Sequence, residues 1–368
     1  MRMMTAFSGS YAADEVTFLL KPLTMPDTPI QLKEQLIQSG KKHYSELLTR
    51  EALPAAEYVQ LFHQAMTLNQ ARLAWHCLVL AERIVATRPH GITLVSLLRA
   101  GTPIGVLLKA VLKRYFKCDV AHYALSIIRD VGLDQNALQH ILQRHAPDSL
   151  VFIDGWTGKG VIAEQLTTSL AIFANHFGVT IPAELYVLAD LSGSAAVSAT
   201  TEDFLIPSCL LNATISGLVS RTIYDSSRAA STDFHGCVYY DDFKTHDLSR
   251  YFIDVMLQEI DSIWQSTAFS EREQALPPDR KQAKDISQGF LSGIAARYGV
   301  THTHYIKPGI GEATRVFLRR EARLLLLQTE HAEATRHLRW LAESKSIPIE
   351  IVPNSPYQAV ALIKEIHL

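Results

Sequence analysis

Cysteine is scarce in this chain of 368 residues: four are present, Cys77, Cys118, Cys209 and Cys237, and no two form a CxxC pair. That spacing excludes a disulfide framework and a zinc ribbon, and it suits free thiols in a reducing compartment. No apolar run reaches the roughly 20 residues needed to span a bilayer. The longest candidate, residues 205–219, is broken by Pro207, Ser208, Asn212 and Gly217. Neither sign of charge is in excess, with 35 Lys and Arg against 37 Asp and Glu. A protein that coats nucleic acid is therefore not expected, although a local basic patch is allowed. The first 20 residues carry one early arginine and no continuous apolar core ahead of Asp14 and Glu15. A secretory signal is not expected, and the expected location is cytoplasmic.

What is present is alternation. The length suits two domains, and 48% of residues are hydrophobic, enough for packed cores. After a lead-in punctuated by Pro22, Pro26 and Pro29, residues 55–86 carry apolar groups at helical spacing, among them Leu61, Leu73, Leu80 and Ile84. Strands are then expected over 92–98, 120–128, 150–153 and 184–189, with helices over 104–112, 136–144 and 161–173 between them. Such alternation gives an α/β fold with a mostly parallel sheet flanked by helices. Residues 246–300 read as a helical connector, interrupted near Pro277, Pro278, Asp279 and Arg280. A small α/β tail fills 301–368, with strands at 322–327 and 347–352, a helix through Leu341 and a last helix from Tyr357. The expected domains are thus 1–245, 246–300 and 301–368.

Ligands of parallel sheets bind beyond the carboxyl ends of the strands, where Arg99, Asp154 and Asp190 fall. The strongest local feature is VFIDGWTGKGVIAEQL. A buried strand ends in an acid, and Thr157, Gly158 and Gly160 lead directly into a helix. Inward-turned amides and a helix N-terminus cradle anions; the bland alternative is an ordinary tight turn. Asp154 suits sugar hydroxyls better than phosphate, and Lys159 either reaches the anion or faces water. A nucleoside-triphosphate P-loop is excluded, because the glycine spacing is short and no Ser or Thr follows Lys159.

These stretches resemble a known family. VFIDGWTGKG is similar to the phosphate loop of type I phosphoribosyltransferases, and SLLRAG resembles their pyrophosphate loop. Nearly the whole chain resembles the phosphoribosyltransferase-like proteins of tellurium-resistance and stress-response gene clusters, which end in a Pelota-like (L7Ae-like) RNA-binding module. YSELL, LLRAGTPIG, HYALSIIRDVGLD, EDFLIPSCLLNATISGLVSRTIY and KPGIGEATRVFLRR carry that likeness. It implies a phosphoribosyltransferase, a glycosyltransferase of nucleotide metabolism that makes or breaks a ribosyl–base bond from phosphoribosyl diphosphate. Arg99, Arg129 and Asp154 would be catalytic. Ala100, Gly101, Asp154, Gly155, Thr157, Gly158, Lys159, Gly160 and Asp190 would bind the substrate. Magnesium would arrive on the substrate's phosphates, and the chain itself would supply no metal site. Asp190 either lines the magnesium or base pocket or caps a helix. A nucleotide- or RNA-binding regulator with a degenerate site is the alternative, since Gly155 stands where the family carries a second acid.

Two further readings attach to the resemblance. Members have been labelled cysteine proteases, and Cys209, behind Pro207 and Ser208, is then the natural nucleophile. No protease signature surrounds it, and a free cysteine is commonly an inert buried hydrophobe. In the tail, Lys307, Gly309, Gly311, Arg315 and Arg319 form a basic Gly-turn and helix face suited to structured RNA. A solvated helix face is the plain alternative. No membrane partner is expected, and a homo-oligomer is allowed.

Overall fold

The computed structural model describes residues 7–225, 229–266, 268–271 and 279–365. Residues 1–6, part of the N-terminus in which no secretory signal is expected, and the interruption at Pro277 and Pro278 lie outside the described residues. Strand β1 (Thr17–Phe18) and helix α1 (Ile30–Gln38) open the chain. Helix α2 (Ala56–Thr87) buries Phe62, Met66, Asn69, Leu73, Cys77, Leu80 and Ile84, residues three or four apart that form one stripe. There follow β2 (Ile92–Leu97), α3 (Gly101–Arg114), β3 (Val120–Leu125) and α4 (Gln135–Leu142). The Asp134 side chain caps α4 by accepting from the Ala137 amide at 3.0 Å. Strand β4 (Leu150–Thr157) leads to α5 (Val161–Phe177), then to β5 (Leu185–Asp190) and β6 (Val197–Thr200).

These strands form a parallel sheet in the order β1-β3-β2-β4-β5-β6. Its two faces are read directly from successive residues. Leu94, Val151 and Ile153 join the core under α2 and α3, whereas Val95, Leu97 and Phe152 join the core under α4 and α5. Side chains that alternate between two buried faces are mostly apolar, so the strands read as near-continuous apolar runs, with Thr93, Ser96 and His122 as buried polar exceptions in β2 and β3. Every residue of β4 is buried.

Helices α6 (Ser249–Gln265) and α7 (Arg280–Tyr298) connect to the C-terminal unit. That unit comprises β7 (Ile306–Pro308), α8 (Ile310–Arg319), β8 (Ala322–Leu327), α9 (Arg336–Ser344), β9 (Ile349–Ile351) and β10 (Ala359–Ile363). Its sheet runs β7-β10-β8-β9, with β10 antiparallel to both neighbours. The last helix expected from Tyr357 is instead this interior strand. All five residues of β10 are buried, and periodicity cannot separate a doubly buried strand from a buried helix. Likewise the strand expected over 120–128 stops at Leu125. Ile127–Ile128 pairs antiparallel with Gly132–Leu133, which places Arg129 and Asp130 in a hairpin turn.

Candidate functional site at the domain junction

The β4–α5 loop carries the features an anion cradle needs, yet the C-terminal unit fills it. Gly160 has φ 84° and turns the chain into α5, and its amide donates to Thr157 Oγ1 at 3.1 Å. Thr157 Oγ1 also lies 3.2 Å from Ser194 Oγ. The threonine hydroxyl thus serves the turn itself. Lys159 Nζ donates to the Thr303 carbonyl at 2.5 Å, and a side chain at Gly158 would strike the Pro308 carbonyl at 2.7 Å. Burial drops the Lys159 ammonium to about 7. Asp154, buried, accepts from the adjacent Gly155 amide at 2.7 Å, and burial raises its carboxyl to about 6.

Helix α8 seals the crevice beside this loop. The Trp156 indole donates to Glu312 Oε1 at 3.3 Å, and the Arg315 guanidinium stands 4.4 Å over its ring while pairing with Glu312 at 3.1 Å. Burial opposes ionisation of Glu312, but the charges of Arg315, Lys307 and Lys159 hold its carboxyl below the ordinary range. Gly311 lies directly against the Trp156 ring, and Gly309, at φ 87°, against Leu191. Asp203 closes the junction from the other side. Its carboxylate accepts from the Ile310 amide at 3.0 Å and the Gln358 amide at 2.8 Å, and burial raises it to about 6. Asp190 is a cap. It accepts from the amides of Ser192 and Ser194 at 3.1 Å and of Ala195 at 2.9 Å.

Arg99 is buried with Glu51, an ion pair of 2.6 Å. It also donates to the Val219 carbonyl at 2.9 Å and to Asn212 Oδ1 at 3.1 Å. Asn212 Oδ1 accepts from Arg319 as well, at 2.8 and 2.5 Å. Ala100 packs beside Gly155, and Gly101 abuts the Ile153 carbonyl. Arg129 pairs with Asp130 at 3.0 Å and lies over the Tyr44 ring, and its charge contributes to lowering the Lys159 and Lys307 ammonium groups. Arg99, Ala100, Trp156, Ser208, Cys209, Asn212, Arg315 and Arg319 line a cleft of about 20 Å³. That volume holds roughly one water. Cys209 Sγ lies 3.9 Å from Thr314 Oγ1, which in turn bonds the Ile310 carbonyl and His337 Nε2, at 2.7 and 2.8 Å. Burial pushes the Cys209 thiol up to about 12 and the His337 imidazole down to about 3. Among the described residues no histidine nitrogen is hydrogen-bonded to a cysteine thiol.

Residues 9–257 match the family described as tellurite-like stress resistance cysteine protease StiP, and residues 285–365 match the PELOTA RNA binding domain. A protein of Acinetobacter baylyi named cysteine protease StiP is 39% identical over 377 residues, covering 98% of this chain and 95% of its own. The chain belongs to the StiP family. Membership overturns the phosphoribosyltransferase reading, in fold family and in activity, together with the transferase and phosphoribosyl-diphosphate terms attached to it. The fold is an α/β StiP-type domain followed by a small Pelota-like domain.

The geometry supplies the physical reason for the correction. The side chains expected to receive phosphate and pyrophosphate have partners within the chain, Thr157 in its own turn, Lys159 at Thr303 and Arg99 at Glu51, while Asp190, expected to line the pocket or cap a helix, accepts from the amides that follow it. In the tail, Gly309, Gly311, Arg315 and Arg319 face the StiP-type domain, and Lys307 is half-buried near Glu312. The sequence reading missed Glu51, Trp156, Asp203, Asn212, Glu312 and Thr314. Only Trp156, a large aromatic set between glycines of a loop, carried a signal that could have shown a packed junction.

Proposed function

We propose that this chain is a cysteine peptidase whose nucleophile is Cys209 and whose resting form is the docked one. Family membership supports the activity. The carrying observation is that Cys209 lines the strand-end cleft beside the guanidinium groups of Arg99, Arg315 and Arg319. Cys77 and Cys237 share the buried, raised thiol, at about 12 like that of Cys209, but neither lines that cleft. Cleavage requires a thiolate to attack a peptide carbonyl carbon; the amine leaves with a proton, and water then hydrolyses the thioester. A docked cleft of about 20 Å³ admits no peptide, and the thiol there is neutral. Displacement of α8 removes Thr314 from the sulfur and lets in water. It thereby relieves the burial that raises the thiol.

The test is cleavage of a denatured protein pool by the full chain, read by mass spectrometry. Cys209→Ala should abolish every new terminus, while Cys77→Ser and Cys118→Ser retain them. Cleavage that persists in Cys209→Ala removes this assignment.

The match over 285–365 supports RNA contact by the C-terminal domain. With α8 packed inward, we place that contact on its outer surface, where Arg336 and Lys364 are exposed. No helix among the described residues is long and apolar enough to cross a membrane.

A further inference from the structure

A second cleft, about 420 Å³, opens beside the Cys209 cleft and shares Leu211, Asn212 and Arg319 with it. Its floor is the segment 48–55, and its walls come from both domains, with Tyr58, Phe243, Phe317 and Trp340 as the aromatic surfaces. Five cationic side chains line it: Lys33, Arg50, Arg221, Arg319 and Lys345. Glu51 is the lining carboxylate, and it is spent on Arg99.

The cations are unevenly satisfied. Arg50 pairs with Asp242 at 2.5 Å, and Lys345 donates to the Phe317 carbonyl. Lys33 Nζ makes only a long contact of 3.3 Å to the Arg319 carbonyl, so donor capacity is left over. Arg221 uses Nη2 on the carbonyls of Tyr44 and Leu47, while its buried Nη1 has no partner. A buried guanidinium nitrogen without an acceptor is costly. Crowding adds to this: burial, followed by the charges of Arg221, Arg320 and Arg319, brings the Lys33 ammonium down to about 8 against the favourable charge of Glu34. An anion between these groups would receive several charge-assisted hydrogen bonds and would relieve their mutual repulsion.

We infer that this cleft takes an acidic peptide, with a carboxylate held between Lys33, Arg221 and Arg319 and a neighbouring apolar side chain against Phe317 and Trp340. The inference deepens the peptidase reading, because it names the substrate class and sets it one layer of residues from Cys209. A cleft of this size holds two or three side chains and a charged terminus. The same contacts give selectivity: a basic peptide meets five cations, and a neutral one leaves Arg221 Nη1 unpaired.

The experiment uses the full chain with Cys209→Ala and a fluorescein-labelled peptide alternating Glu and Leu, read by anisotropy. Versions with Gln or Lys in place of Glu are run in parallel. The Glu peptide should bind at least tenfold more tightly than the Gln version, the Lys version should not bind, and rising salt should weaken the complex. Lys33→Gln and Arg221→Gln should each cost about tenfold. Because Arg221 also holds Tyr44 and Leu47, hydrogen exchange on Cys209→Ala with both basic residues intact gives a readout independent of the variants. The Glu peptide should slow exchange over 48–55 and 210–214. Equal affinity for the Glu and Gln peptides, or protection elsewhere only, overturns the inference. Acidic-peptide binding by a chain that cleaves nothing would sink the peptidase reading alone. Cleavage with no acidic preference in binding would sink this one alone.

Discussion

Gly311→Val tests whether the junction between α8 and Trp156 governs access to Cys209. A β-carbon at Gly311 would sit 2.6 Å from Trp156 Cζ2 and 2.8 Å from Nε1. Both are atoms of a rigid ring, so no flexible end can yield. The ring is also fixed by its bond to Glu312 and by the Arg315 guanidinium above it. Overpacking of this kind costs about 1–3 kcal/mol, and losing a partly desolvated cation–π contact adds about 1. A loss near 3 kcal/mol in the docked state raises the open population roughly a hundredfold. The assay is thiol alkylation followed by peptide mapping, with Cys77 as internal reference because it lies on α2 inside the StiP-type core. Modification of Cys209 should accelerate about a hundredfold while Cys77 stays slow. If Cys209 and Cys77 accelerate together, the variant loosens the whole domain; if neither changes, α8 does not gate the thiol. Either result refutes the reasoning.

Two more outcomes are expected, one at the same junction and one on the outer surface of the C-terminal domain. Burial raises the Asp203 carboxyl from 3.8 to about 6, so the folded chain holds a proton there that the unfolded chain has released. Its contribution, on the order of 3 kcal/mol, is present below about pH 4 and is lost as pH rises through about 6. Asp203→Asn should therefore flatten that part of the Tm–pH profile; an unchanged slope would show that the group is not linked to folding. For the RNA surface, the full chain should shift a structured RNA in native gels, with a midpoint that moves steeply with salt. Arg336→Glu combined with Lys364→Glu should weaken the shift, and Arg315→Gln should not.

The secondary structure was readable where one physical signal dominated. Strand 322–327 ends in four consecutive leucines after Arg323, and α2 shows its buried stripe at helical spacing. Strand 150–153 extends to Thr157, because the polar tail DGWT is buried too. An acid and a tryptophan in the middle of a loop motif do not advertise burial. β10 failed for the opposite reason: AVALI is apolar throughout, and nothing local distinguishes strand from helix once both faces are covered. Asp203 was illegible for a different reason. Its partners, the amides of Ile310 and Gln358, lie 107 and 155 residues away, and pairing at that range is decided by how two separate sheets dock.

The misreading of the candidate site has a physical origin of its own. A turn with inward amides, a hydroxyl, a lysine and nearby arginines is what binds phosphate, but the same donors bind carbonyls and carboxylates. Lys159 takes a carbonyl of the C-terminal unit, Arg99 takes Glu51, and Arg315 takes Glu312. A sequence presents the donors of a site in one short window, whereas the acceptors come from anywhere in the fold. Unpaired capacity, not donor count, therefore marks a binding site. At the phosphate-like loop and the strand-end arginine beside it, part of that capacity is taken within the chain, although Arg99 Nε has no partner. It is also left at Lys33 and at Arg221 Nη1, two positions not named as site residues in the reading of the sequence.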